Sequence, residues 1–366
     1  MSIYVLFAIG AFFISAACGF VFIPMILNFC KQRRLYDIPN QRKVHAVFVP
    51  RLGGLAFLPS MLISFALVLF ILLVSQGEEL TLHIWSIYFL LGLTIIYTTG
   101  FVDDIVGLSP WVKFVAQIIA AVFLPVAGLY VNNLYGFCGI WEVPSYVGIP
   151  LTVFIIVFIV NSINLIDGID GLSAGLSVLA LMGFAFLFAQ QKVWAYVILI
   201  AGLIGVLITY LYYNIWGDTA KNRKIFMGDS GSLTLGYILS FLFIKYTMDN
   251  PLVMPYRKDG LLLSFTLLIV PVFDVVRVII VRLKNHRGVF EADKNHIHHK
   301  LMRAGLSQHG ALLAILAFAL FYCAFNYLLS KVMLTSFIVG IDILIYGIFH
   351  IIVDRCIVRN GKKAFD

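Results

Sequence analysis

Long apolar runs separated by short polar stretches recur along almost the whole chain. A helix needs about 20 residues to cross a hydrocarbon core of about 30 Å. Runs of that order lie near 4–28, 52–75, 84–102, 111–129, 148–164, 172–190, 194–213, 231–248, 261–283, 311–329 and 332–353, which predicts eleven transmembrane helices. The expected fold class is therefore all-α, a polytopic membrane helical bundle whose polar loops carry any chemistry. No internal period, low-complexity tract or long linker divides the chain, so residues 1–366 read as a single integral-membrane domain. The opening MSIYVLFAIGAFFISAACGF has no Lys or Arg before its apolar stretch and is expected to be an uncleaved first span.

Composition agrees with this pattern. Hydrophobic residues make up 61% of the sequence and charged residues 12%, whereas soluble domains average about half apolar and about a quarter charged. The 5 cysteines are scattered without framework or metal-site spacing.

Charge then orients the bundle. Loops after odd-numbered spans include KQRRLYDIPNQRKVHAVFVPR (31–51), GDTAKNRKIF (217–226) and RLKNHRGVFEADKNHIHHKLMRAG (282–305). Of the 26 basic residues, all but Lys192, Lys245, Arg257, Lys258 and Lys331 fall on that side. Positive charge marks the cytoplasmic face, so the N-terminus is expected outside and the C-terminus in the cytoplasm. The net charge of +8 is then topogenic and attracted to anionic headgroups rather than a nucleic-acid footprint.

The acids beside the spans select the same face. Asp103 and Asp104 follow the third predicted span, Asp167 and Asp170 the fifth, and Asp229 lies in IFMGDSGSLTLG between the seventh and eighth. HIHH (296–299) follows the ninth. Ionisable groups at a membrane are costly to keep and mark function. Each motif also has a plainer reading. Asp-Gly is a turn signal, Gly-Asp-Ser is a helix N-cap, and histidines can be merely solvated. Their gathering at one surface favours a composite site. Asn161 and Asn164 share a helical stripe that reaches Asp167 if the helix continues. The adjacent Asp103 and Asp104 repel one another unless a cation lies near. Oxygen-rich donors suit Mg²⁺ or Mn²⁺ rather than zinc, and leave the histidines to hydrogen-bond phosphate or sugar oxygens. A secondary transporter would instead carry acids at midplane depth and internal symmetry, neither of which is visible.

The segments DDIVGLSPWVK, NSINLIDGIDGLSAG, FMGDSGSLTLG and DKNHIHHKL, in this order, resemble the polyprenyl-phosphate N-acetylhexosamine-1-phosphate transferase superfamily, glycosyltransferase family 4. DIPNQRKVHAVFVPRLGG is similar to that family's first cytoplasmic loop. The CDP-alcohol phosphotransferases also cluster aspartates, but DGIDGLSAG lacks their arginine. The resemblance implies transfer of a sugar 1-phosphate from a UDP-sugar donor to undecaprenyl phosphate, in the inner (plasma) membrane. Gly107 stands where the phospho-N-acetylmuramoyl-pentapeptide branch usually has Lys, and HIHH replaces its three consecutive histidines. Both resemble the branch that transfers N-acetylglucosamine 1-phosphate and initiates cell-envelope polysaccharides. The resemblance further implies metal ligation by Asp229 and Asn164 and action of Asp103 or Asp104 on the acceptor, Asp103 first. It implies pyrophosphate binding by Lys113, nucleotide contacts from Asp167 and Asp170, and sugar and phosphate contacts from His296, His298, His299 and Arg282. Whether the protein forms a homodimer is left open by the sequence.

Overall fold

A computed structural model describes residues 3–37, 48–77, 84–251, 254–288 and 294–361. Helix α1 spans Ile3–Arg33, and a short antiparallel pair, β1 (Tyr36–Asp37) with β2 (Val49–Pro50), follows it. A 3-10 turn at Gly53–Ala56 leads into α2 (Phe57–Gln76), and α3 (Ile84–Val106) and α4 (Pro110–Val126) come next. The β3 (Asn133–Phe137) and β4 (Ile140–Glu142) hairpin precedes α5 (Ser145–Ile166), α6 (Leu172–Gln190), α7 (Trp194–Ile215) and α8 (Gly228–Thr247). The chain ends with α9 (Gly260–Thr266), α10 (Ile269–Lys284), α11 (Ile297–Arg303), α12 (Gln308–Leu329) and α13 (Thr335–Arg359).

The outer helices explain the apolar composition. Only 28% of the spanning window of α12 or α13 is buried within the protein, and large apolar side chains such as Leu313, Leu344 and Ile351 face outward. Such a surface is stable against lipid and not against water. Helix α8 is the opposite case: every residue from Ser230 to Thr247 is buried, with α3 and α5 packed along it. The approach is close enough to require glycine at Gly100. A Cβ there would lie 2.6 Å from the Ser230 Cα and 2.7 Å from the Asp229 carbonyl oxygen. The last turn of α3 is thereby pressed against the first turn of α8, which brings Asp103 and Asp104 to Asp229.

The count and continuity of the spans differ from the sequence reading. Among the described residues eight helices are long and apolar enough to cross a membrane, or nine if α9 and α10 count as one. Two of the eleven predicted spans fall outside that set. The apolar helix α4 is only 17 residues long, and α8 opens on Gly-Asp-Ser-Gly-Ser and ends beside Lys245. The predicted continuous span 261–283 is also corrected, because it is bent by 75° between α9 and α10. Polar groups ended the hydropathic runs early: Asp103 and Asp104, expected just beyond a span, lie inside the last turn of α3.

Local sequence sets the turn between α3 and α4. Gly107 adopts φ 76° and its N–H donates to the Asp103 carbonyl at 2.8 Å, closing α3. Ser109 then caps α4, accepting from the Val112 N–H, with Pro110 at the first helical position. Proline preset to helical φ after a serine cap is a strong helix start. It fixes Lys113 in the first turn of α4, facing back toward α3.

Candidate active site

The ends of α3, α4, α5, α8 and α11 and the loops beside them meet at one end of the bundle. At the centre the Lys113 ammonium lies 3.1 Å from Asp103 Oδ2 and 2.8 Å from Asp229 Oδ2. Asp103 Oδ1 accepts from the Leu108 N–H at 2.7 Å, so this carboxylate is held by both the turn and the lysine. The Asn164 amide donates to Asp229 Oδ1 at 3.1 Å and to Ser232 Oγ at 2.8 Å. Asn161, one turn earlier on α5, instead donates to Gln117 Oε1 at 2.5 Å. Four of the predicted residues, Asp103, Lys113, Asn164 and Asp229, therefore form one hydrogen-bonded network drawn from α3, α4, α5 and α8.

Asp104 has a different position from its neighbour. It is 4% exposed, and its two oxygens accept from the backbone N–H groups of Asp229 and Ser230, each at 2.9 Å. These are donors of the first turn of α8, which has no side-chain cap of its own from Met227. A carboxylate at a helix N-terminus satisfies orphan donors and complements the dipole. Arg51 secures the cap from behind, its Nε donating to the Asp104 carbonyl at 2.8 Å.

The second loop follows α5. The helix ends at Ile166, with Asp167 as its C-cap, so the stripe from Asn161 through Asn164 stops one residue short of Asp167. Burial pushes the Asp167 carboxyl up to about 7, with further contributions from the charges of Asp229, Asp170 and Asp104. Asp170 pairs with Lys224 at 2.6 Å. Asn214, buried at the end of α7, accepts from the Gly171 N–H at 2.7 Å and donates to the Ile225 carbonyl at 2.9 Å. That amide ties the Asp-Gly-Ile-Asp-Gly loop to the segment carrying Lys224.

The histidines reach this loop from α11. A Cβ on Gly168 would stand 2.2 Å from His298 Nε2, so the ring lies directly on the glycine backbone. His298 is 1% exposed, and neither of its ring nitrogens has a hydrogen-bond partner among the described residues. Burial pushes it down to about 3 and His299 down to about 4, leaving both as neutral imidazoles able to donate or accept one hydrogen bond per nitrogen. His296 Nδ1 lies 2.7 Å from Asp274 Oδ2, while Asp274 Oδ1 accepts from the Ile297 N–H at 2.9 Å and from Arg277 at 3.0 Å. One fully buried carboxylate thus fixes the start of α11. Arg282 is buried two turns farther along α10.

Sequence reasoning missed Asp274, Lys224 and Arg51 as parts of this site. Asp274 left a readable signal, an acid within the apolar run IVPVFDVVRVII with Arg277 at i+3. Lys224 and Arg51 left none beyond loop charge. Much of the first-loop motif DIPNQRKVHAVFVPRLGG, from residue 38 to 47, lies outside the described residues.

The donor set bears on a metal. Among the described residues no three His, Cys, Asp or Glu side chains converge as a metal cage. Mg²⁺ needs no such cage, since it is commonly held by one or two carboxylates, waters and substrate phosphates. Asp229 and the Asn164 amide, adjacent and hard, fit that requirement.

The segments that carry this geometry are similar to those of known proteins. The family described as Glycosyl transferase family 4 matches residues 86–247, from α3 through α8. A probable undecaprenyl-phosphate N-acetylglucosaminyl 1-phosphate transferase of Bacillus subtilis (strain 168) is 31% identical over 93% of this chain and 88% of its own length. Undecaprenyl-phosphate alpha-N-acetylglucosaminyl 1-phosphate transferases of Yersinia pestis and Escherichia coli (strain K12) are 28% and 27% identical, over 77% and 81% of this chain and 73% and 78% of their own lengths. With such identity spread over nearly its whole length, this multi-pass membrane protein belongs to glycosyl transferase family 4.

Proposed function

We propose that the protein transfers N-acetylglucosamine 1-phosphate from UDP-N-acetylglucosamine to undecaprenyl phosphate at the cytoplasmic face of the inner membrane, as the first step of a cell-envelope polysaccharide. The observation that carries this reading is Lys113 bridging Asp103 and Asp229 beside Asn164. A lysine shared by two carboxylates, next to a hard oxygen pair, suits two phosphates that must be brought together against their own repulsion. The names of the relatives supply the two substrates.

In the reaction an oxygen of the lipid phosphate attacks the sugar-bearing phosphorus of the donor. The phosphoanhydride bond to UMP breaks, and UMP leaves with the bonding electron pair. One anhydride replaces another, so the obstacle is charge and placement rather than bond energy. Asp103, fixed by the Leu108 N–H, orients the acceptor head, and Lys113 moves between the acids and the diphosphate. Asp229 and Asn164 would hold Mg²⁺, or Mn²⁺, which when bound neutralises charge on the diphosphate. Asp104 positions Asp229 through the backbone of α8. Asp167 and Asp170 face the nucleotide, while His296, His298, His299 and Arg282 serve the sugar and its phosphate. His298 is well suited, being buried, neutral and without a hydrogen-bond partner among the described residues.

The test is UMP release by detergent-solubilised protein given undecaprenyl phosphate, Mg²⁺ and either UDP-N-acetylglucosamine or UDP-N-acetylmuramoyl-pentapeptide. Turnover with the first donor is expected. Turnover with the pentapeptide donor alone would move the protein to the other branch, and a stoichiometric UMP burst without acceptor would replace direct attack by a covalent intermediate.

A further inference from the structure

On the flank formed by α1 and α7, at the same end of the bundle as the acids, lies a cavity of about 650 Å³ that includes none of the site residues above. That volume is in the range of sites for small ligands, about 300–1,000 Å³. Its inner wall is aromatic: Phe20 on α1 lies 6.1 Å and 6.2 Å, centroid to centroid, from Tyr212 and Tyr213 at the end of α7. Its rim is cationic, with Lys31 in the last turn of α1 and Arg223 in the loop after α7, beside Asn222. Neither cation is in an ion pair among the described residues.

Phe20 and Lys31 are eleven positions apart on one helix, which at 1.5 Å per residue separates them by about 16 Å. The groove therefore runs from an aromatic floor to a charged rim along about half the thickness of a hydrocarbon core. Beyond its aromatic end the outward face of α1 continues apolar, through Phe13 and Leu6, 64% and 58% exposed. A soluble anion would satisfy the rim but leave the aromatic wall and the apolar face beneath it uncovered. An amphiphile with an anionic head covers all three.

We propose that this groove binds an anionic phospholipid, its phosphate between Lys31 and Arg223 and its acyl chains against Phe20, Tyr212 and the outer face of α1. The occupant is not the reacting lipid, whose phosphate must reach Lys113 and Asp229, and those residues are not in the cavity. The site adjoins the candidate active site through the loop, in which Arg223 faces the groove while its neighbour Lys224 holds Asp170. The proposal does not depend on the identity of the sugar donor.

Native mass spectrometry of the full-length protein in detergent tests it, with phosphatidylglycerol, phosphatidylcholine and undecaprenyl phosphate added separately and in competition. Wild-type protein is expected to retain phosphatidylglycerol in preference to phosphatidylcholine. Lys31→Gln with Arg223→Gln should weaken phosphatidylglycerol retention roughly thirtyfold, each basic residue near a surface contributing about a factor of five. Lys31→Arg with Arg223→Lys should retain it. Equal retention of the two phospholipids, equal retention by wild type and the glutamine pair, or equal loss in both paired variants would overturn the proposal. So would preferential capture of undecaprenyl phosphate through Lys31 and Arg223, which would make the groove part of the acceptor's path.

Discussion

Asp104→Asn separates a positioning role for the second aspartate from a direct one. The carboxylate accepts two backbone hydrogen bonds at 2.9 Å, from Asp229 and Ser230, and is 4% exposed. Asparagine fits the space and keeps one acceptor oxygen, but turns an NH₂ group toward the other N–H. One buried charge-assisted bond is lost, a change of about 1.5–3 kcal/mol, and a buried donor is left without an acceptor. The first turn of α8 then loosens, and Asp229 moves with it relative to Lys113 and Asn164. The expected outcome is a melting temperature lower by a few degrees in detergent, with a rise in the Mg²⁺ concentration needed for half-maximal UMP release. Raising Mg²⁺ should restore much of the turnover, because the reacting groups themselves are intact. Unchanged melting and unchanged Mg²⁺ dependence together with a large loss of kcat would refute the capping argument and place Asp104 on the reacting phosphate.

Other expectations follow from the same geometry. Asp229→Ala should abolish UMP release while the protein still purifies as folded, and normal rates would remove this residue from the metal and phosphate assignment. Gly168→Ala puts a methyl group 2.2 Å from His298 Nε2; the buried ring has little room to retreat, so turnover should fall at least about tenfold, an overpacking cost within about 1–3 kcal/mol. Asp274→Asn leaves Arg277 without its carboxylate and His296 without its orienting partner; a loss of about 3 kcal/mol in stability, read by thermal melting, and a higher KM for the UDP-sugar are expected. His298 and His299 are pushed down to about 3 and 4, so the unfolded chain binds their protons first and stability should fall as pH drops below about 6.5, by about 2 kcal/mol for His298 at pH 5. Asp167, pushed up to about 7, has the opposite sign and loses stability as pH rises from about 4 to 7; Asp167→Asn should therefore steepen the net fall in stability on acidification, and an unchanged melting profile would contradict the burial of that carboxyl.

Most of the membrane class and much of the site were legible in one dimension. Twenty-residue apolar runs have few stable fates other than membrane helices, and acids beside them are too costly to be incidental. Asp103 and Asp229 were therefore visible as candidates from their placement, Asn164 from its helical stripe with Asn161, and Lys113 through the family resemblance alone. Helix continuity was less legible, because hydropathy measures transfer and not direction: α9 and α10 read as one run across a 75° bend. Asp274 was overlooked because it lay inside a predicted span, where a single acid shows no partner until the helices pack and bring His296 and Arg277 to it.

Sequence alone thus determined the solvent this protein folds in, the end of the bundle where its polar groups gather, and the residue types available there, since each depends on local composition. Tertiary packing decided what each of those residues does. Asp103 and Asp104 are adjacent and chemically identical, yet one faces Lys113 and the other caps α8. Adjacent helical side chains point about 100° apart, and the close approach of α3 to α8 at Gly100 puts one of those directions at Lys113 and the other under the α8 terminus. Contacts between residues more than a hundred positions apart have no period and no local propensity to announce them, so only the packed helices could assign the two roles.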